Sequence, residues 1–430
     1  MPAPRADQAA QPLGQTPVIG ALSDLRVIDL THFLAGPYCT QMLADQGADV
    51  IKVEPPGGDV TRTFGPFLPD DDLQAFAGYF GSVNRNKRSI TLDMKSEAGR
   101  EALLRLIDGA DVVVENYRAG VMERHGLSYE TLTARNPRLV YAAVRGFGDK
   151  RGGESPYGDW PAYDVVAQAF GGIMAITGPE GGEATKIGPG VGDIIPAMFA
   201  AFGVLAAVLH ARRTGQGQFV DISMVDSILA ICERVIHQHS FAGVVPKPQG
   251  NQHPFLAPFG TFPTLDGLCT ITAYDDRMFG LLCDLLELTD VPQDVRFSTW
   301  QTRYENRVAL IDVISAVTRL KTKAELMTLL GGKVPFGPVY DVSEIVQDPH
   351  FIARQMIVPV DQPGTDKQVL LAGIPVKLTE TPGAVRRAAP VLGQHTNEIL
   401  TEAGFSPDRI ETMRQSGAFG PVVRKTKERA

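Results

Sequence analysis

Short apolar runs alternate with amphipathic stretches through the first half of the chain. Leu25–Leu30 (LRVIDL), Asp49–Val53 (DVIKV), Ser89–Leu92 (SITL), Asp111–Glu115 (DVVVE) and Leu139–Val144 (LVYAAV) read as strands, most of them apolar enough to be buried on both faces. Between them, Tyr38–Gln46 and Ala98–Ile107 carry apolar residues at helical spacing. Strands and helices in succession imply parallel βαβ units. The chain is therefore expected to be α/β, with a doubly wound, Rossmann-like large domain and a ligand crevice at the carboxyl ends of its strands.

Ile194–Leu209 is almost continuously apolar, yet it is too short for a bilayer, contains Pro196 and Gly203, and runs into His210, Arg212 and Arg213; it reads as a buried helix. A turn at Thr214–Gln218 leads to a strand at Phe219–Ser223 and a helix ending near His239. Pro and Gly then recur without periodicity from Gly243 to Pro263, which marks a linker into a second domain. That domain has an expected strand at Leu268–Ala273, helices at Asp276–Leu286, Arg303–Thr318 and Lys323–Leu330, a turn at Val334–Pro338, and strands near Ile357–Val360 and Val369–Leu371. The resulting division is a loose extension over 1–17, a large domain over 18–240, a linker and smaller α/β domain over 241–375, and a C-terminal segment over 376–430.

Composition narrows the function classes. A chain of 430 residues needs more than one core, and 44% hydrophobic with 21% charged residues is globular. A net charge of -8 gives no global attraction for nucleic acid or an anionic membrane, so an anionic ligand needs a local basic patch. Cys39, Cys232, Cys269 and Cys283 form no C-x-x-C pair and no zinc spacing, which fits reduced thiols in the cytoplasm. Met1–Pro17 lacks the apolar core of a signal peptide. The turn after the first strand, Thr31–Pro37, has neither G-x-G-x-x-G nor a P-loop, which disfavours an ordinary NAD-dependent dehydrogenase or P-loop kinase.

The most pointed candidate for chemistry is Asp193, in Gly190-Val191-Gly192-Asp193 ahead of the long apolar run. It is either an N-cap that accepts from orphan amides, or a carboxylate nucleophile at a helix start whose partial positive charge favours an anion. Asn84–Arg88, Lys95, Asn116-Tyr117-Arg118 and Arg124 place amide, aromatic and cationic groups at strand exits. They are either solvated loop charges or a cradle for an adenine nucleotide with phosphates. The Tyr163 hydroxyl either lies in water or orients a carboxylate or thioester oxygen. His237 and His239 are two apart and cannot share a helical face as metal ligands, while His32 and His253 are either substrate contacts or ordinary polar loop residues.

The ordered blocks LRVIDLTHFLAGPYCTQMLADQGADVIKVEPPGGD, NRNKRSITLDMKS, DVVVENYRAGVMERHGL, NPRLVYAAVRGFG, PGVGD and TGQGQFVDISMVD resemble the family III CoA-transferases, the group of formyl-CoA transferase and the carnitine CoA-transferases, over residues 22–400. The resemblance implies a large domain completed by both chain ends, a smaller inserted domain, and two chains interlocked as a homodimer. It implies that Asp193 attacks an acyl-CoA thioester, that Tyr163 is an active-site tyrosine, and that CoA contacts fall on Leu34, Ala35, Met94, Lys95, Asn116, Tyr117, Arg118 and Arg124. CoA thioester is then a substrate, and neither a further cofactor nor a metal is expected. Two positions depart from the family: Pro55 stands for an arginine and Leu34 for a glutamine. The related α-methylacyl-CoA racemases carry a G-H-D triplet where this chain has Ala162-Tyr163-Asp164, and the glycine run of oxalate-specific members is GNQHPFLAPFG here. The acceptor is accordingly expected to be a C4–C6 dicarboxylate, with succinyl-CoA as donor. Intramolecular CoA transfer, acyl-CoA racemisation and CoA binding without turnover are the alternatives.

Overall fold

The computed structural model describes residues 20–71 and 74–420, so the extension expected over 1–17 lies outside it. Six parallel strands form the central sheet: β1 (Arg26–Asp29), β2 (Asp49–Glu54), β3 (Arg88–Thr91), β4 (Val112–Glu115), β5 (Val140–Arg145) and β6 (Phe219–Ser223). Their order is β3-β2-β1-β4-β5-β6. The chain winds outward from β1 to β3 and then resumes on the other side with β4, so the loops after β1 and β4 diverge and open a crevice at their carboxyl ends. Val112, Val113 and Val114 are fully buried, as a sheet covered on both faces requires. The helix Glu97–Asp108 and the C-terminal helices Thr396–Glu402 and Pro407–Gln415 pack into one core with these strands through Leu103, Ile107, Ile399, Leu400 and Met413. Arg88 ties the outermost strand to the C-terminal segment by ion pairs to Glu398 and Glu402 at 2.8 and 2.9 Å.

The long helix runs Val191–Thr214 and packs on the helix Ala35–Asp45 and on β5 and β6. It starts before Ile194, so Asp193 lies in its first turn and is not the residue that caps it. Asp164 supplies the cap, with Oδ1 accepting from the Gly192 amide at 2.8 Å. A Cβ on Gly192 would stand 2.3 Å from the Asp164 carbonyl oxygen, so only glycine fits this approach. The helix is also not buried all round. Ala197, Ala200, Ala201 and Val204 face the core, while Met198, Phe202, Leu205 and Leu209 are exposed.

The chain forms two compact units, one of residues up to 167, 191–227 and 355 onward, the other of 168–190 and 228–354. The smaller unit thus differs from the expected 241–375 at both ends. It holds an antiparallel sheet of β7 (Phe259–Thr264), β8 (Gly267–Thr272) and β9 (Phe336–Pro338), backed by helices whose Phe279, Leu282, Ile314 and Leu326 share a core with Phe262 and Ile271. β7 lies in the expected linker because Gly260 and Pro263 interrupt its pattern, and Gly260 is required there: a Cβ would stand 2.4 Å from the Asn251 carbonyl oxygen. β9 was read as a turn; it is an edge strand, where Pro338 costs no ladder bond. The helix expected over Arg303–Thr318 is two, Trp300–Glu305 and Arg307–Thr318, broken at Asn306. The hairpin of β10 (Ile357–Asp361) and β11 (Gln368–Ala372) belongs to the larger unit, where the Arg85 guanidinium donates to the Ala372 carbonyl at 2.5 Å.

Buried charges brace the carboxyl ends of β1 to β3. Lys87 Nζ donates to Asp29 Oδ2, the Pro37 carbonyl and Asn84 Oδ1 at 2.9, 2.9 and 2.8 Å, and neither Lys87 nor Asp29 reaches water. Burial pushes the Asp29 carboxyl up, but Lys87 and Lys52 outweigh it and hold the group ionised, well below the usual carboxylate range. Replacing Lys87 by Met leaves that carboxylate unpaired, and the expected loss is about 3–5 kcal/mol. A urea midpoint within error of wild type would show that the pair does not hold this part of the fold.

Candidate active site

The loop after β1, the exit of β4, the segment Gly158–Asp164, the helix Gly78–Val83 and the first turn of the long helix line one cavity of 690 Å³. The β1 loop is held from both sides. Asp29 accepts from the Thr31 amide and hydroxyl at 2.9 and 2.5 Å, and Lys52 Nζ donates to the Thr31 carbonyl at 2.9 Å. Asn116 Oδ1 accepts from the His32 amide and its Nδ2 donates to the His32 carbonyl, both at 2.8 Å. The His32 ring meets the Tyr117 hydroxyl at 2.9 Å through Nε2. Burial, then the Lys52 charge, holds the His32 pKa below its usual value, so the ring acts as a neutral hydrogen-bonding group.

Asp193 is half-buried on the cavity wall. Burial, and then the neighbouring Asp164 carboxylate, pushes its carboxyl up to about 7. Its environment thus raises the basicity of the carboxylate oxygens. The Tyr79 hydroxyl is raised in turn by burial and then by the Asp193 charge, so it stays protonated beside that group. Tyr163 is 58% exposed and touches the Phe33 ring edge-on at 5.7 Å.

Of the residues singled out from sequence, Ala35, Asn116, Tyr117, Arg118, Tyr163 and Asp193 line this cavity together. Leu34, Met94, Lys95 and Arg124 do not. Leu34 precedes the first helix, Met94 packs on the core, and Lys95 and Arg124 are exposed. Asn116 differs in role: both ends of its amide are used on the His32 backbone. Phe33, Tyr79 and Arg145 also line the cavity and carried no signal in the sequence reading. Arg145 is engaged by Glu115 at 2.7 Å and by Asp149. Among the described residues no group of three or more His, Cys, Asp or Glu is placed to hold a metal ion.

A carboxylate poised in this way, at the switch point of a doubly wound sheet, is equipped to attack an activated carbonyl. The CoA-transferase family III model matches residues 22–396. The chain is 48% identical, over 92% of its length and 100% of the relative's, to a succinyl-CoA:mesaconate CoA-transferase from Haloarcula hispanica. It is 39% identical, over 91% of its length and 96% of the relative's, to a succinyl-CoA–D-citramalate CoA-transferase from Chloroflexus aurantiacus. Among solved structures, a CAIB/BAIF family protein from Brucella suis superposes with a TM-score of 0.82 at 36% identity, covering 90% of this chain and 100% of that one. With its sheet order, the placement of Asp193 and these matches taken together, the chain belongs to CoA-transferase family III.

Proposed function

We propose that this enzyme moves CoA from succinyl-CoA to a methyl-branched five-carbon dicarboxylate such as mesaconate, through covalent intermediates on Asp193. The observation that carries the chemistry is the placement of Asp193: a carboxyl pushed up to about 7, in a helix first turn, on the same cavity wall as Tyr163. The substrate pair is supported by two relatives whose names join succinyl-CoA to mesaconate or to citramalate, both methyl-branched five-carbon diacids.

The Asp193 carboxylate attacks the succinyl thioester carbonyl, forming a mixed anhydride and releasing CoA thiolate. The thiolate attacks the Asp193 carbonyl carbon, succinate leaves, and an aspartyl-CoA thioester remains. The acceptor carboxylate then attacks that thioester to give a second anhydride and thiolate, and the thiolate attacks the acceptor's acyl carbon to yield the new acyl-CoA and free Asp193. Each step exchanges one acyl bond for another, so no energy of the thioester is lost to water. The Tyr163 hydroxyl donates to the developing oxyanion. Arg118 and Tyr117 contribute to CoA binding in this cavity, and Lys95 and Arg124, exposed outside it, serve the charged end of CoA. No histidine stands at 162–164, which argues against racemisation.

The same reading includes an interlocked homodimer in the cytoplasm. Met198, Phe202, Leu205 and Leu209 recur every three to four residues as one exposed apolar stripe on the long helix, a face suited to a second copy. All four cysteines are free and buried, which suits a reducing compartment.

Asp193→Asn should lower transfer on the order of 10⁴-fold or more. It should also change stability in a defined direction. The folded-state pKa is raised, so ionised Asp193 costs the fold stability above about pH 7 and costs nothing well below the unfolded value near 3.8. The variant is thus expected to be more stable than wild type at pH 8 by about 1–3 kcal/mol, with the difference vanishing toward pH 4. A wild-type kcat/KM that does not climb as pH passes through 7, or a variant with near-normal transfer, would remove Asp193 from the role. Phe202→Glu should leave the protein monomeric in sedimentation equilibrium; an unchanged dimer mass would place the interface elsewhere.

A further inference from the structure

One wall of the Asp193 cavity is made of aromatic rings, and one of these stands in a backbone conformation that its residue type avoids. Phe33 has φ +62°, the left-handed region, where a bulky side chain is strained and asparagine or glycine is the ordinary occupant. Its neighbours keep it there, because the backbones of Thr31 and His32 are fixed by Asp29, Lys52 and Asn116 and a helix starts at Ala35. The ring lies 5.7 Å from Tyr163, edge-on, and 6.5 Å from Phe64, which stacks on Tyr79 at 6.4 Å. Phe33, Tyr79 and Tyr163 all line the cavity with Asp193. Phe64 and Tyr163 are open to water at 42% and 58% of their surface. Phe33 offers neither a charge nor a side-chain hydrogen bond to an acyl transfer. What it offers is a flat apolar surface in a fixed position.

We propose that Phe33 selects the carbon skeleton of the acceptor acid. The methyl branch of the acceptor lies against the Phe33 ring, backed by Tyr163 and Phe64, while its reacting carboxylate faces Asp193. This rests on the proposed transfer to a methyl-branched diacid and names the residue that reads the branch. Cations that hold carboxylates do not tell apart two acids that differ by one methyl group. An apolar wall does, by roughly 10–200-fold.

Mesaconate and fumarate give the cleanest comparison, since they share charge and double-bond geometry and differ only in that methyl. kcat/KM is measured for each acceptor with succinyl-CoA as donor, in wild type, Phe33→Gly and Phe33→Asn. Both substitutions tolerate the left-handed backbone and remove the ring, and thermal midpoints at or above that of wild type report an intact fold. The wild type should favour mesaconate by about tenfold or more, and both variants should bring the ratio within about threefold of unity. A ratio unchanged in the folded variants overturns the proposal, as does an equal loss for the two acids, which would assign the ring to CoA or to Asp193. A wild type that uses both acids equally well overturns this inference alone. One that transfers CoA to neither acid overturns the proposed acceptor, and this inference with it.

Discussion

Two lysines without access to water set the carboxyl end of the sheet. An ammonium has three donors, and removing it from water is tolerable only if it is both paired with a carboxylate and hydrogen-bonded. Lys87 finds Asp29, Pro37 and Asn84. Lys52 finds the Thr31 carbonyl and an ion pair with Asp59 at 3.2 Å. Meeting these demands brings β1, β2, β3 and the start of the first helix into one arrangement, and the loop that carries His32 and Phe33 inherits its position from it. Arg62 does the same one turn further along, bidentate on Glu54 at 2.7 Å and over the Phe80 ring at 3.6 Å. The loop after β1 is thus tied down from beneath.

Against that background Asp193 is an exception. Asp29, Glu54 and Asp59 are each held ionised by a buried cation, against burial that pushes them the other way. Asp193 is given burial and a like charge and no cation. The same fold that lowers the pKa of its structural carboxylates raises that of this one. This separation of roles follows from placement alone, since all four are ordinary acidic side chains.

The large sheet was legible because its strands are apolar runs whose burial requires no distant partner to be guessed, and the ordered blocks from Leu25 to Asp226 carried the family. Asp193, Tyr163 and the Asn116–Arg118 exit each sit in a local motif, and the fold brings them to one cavity. What failed to appear in the sequence depends on contacts across it. The cap on the long helix comes from Asp164, 28 residues away, so the boundary was placed too late and Asp193 was credited with a capping option it does not use. β7 and β9 are interrupted by Gly and Pro that only their sheet positions permit. Phe33 and Tyr79 have no motif; their importance comes from a left-handed backbone angle and from proximity to Asp193.

The contact between Gly192 and the Asp164 backbone has a mechanical side. With no side chain between them, the first turn of the long helix and the Tyr163-Asp164 segment touch directly and are stitched by a hydrogen bond. Neither can be displaced without pushing the other, so Asp193 and Tyr163 are coupled through this one contact. A change in the volume of the cavity is then left to its other walls, the loop after β1 and the helix Gly78–Val83.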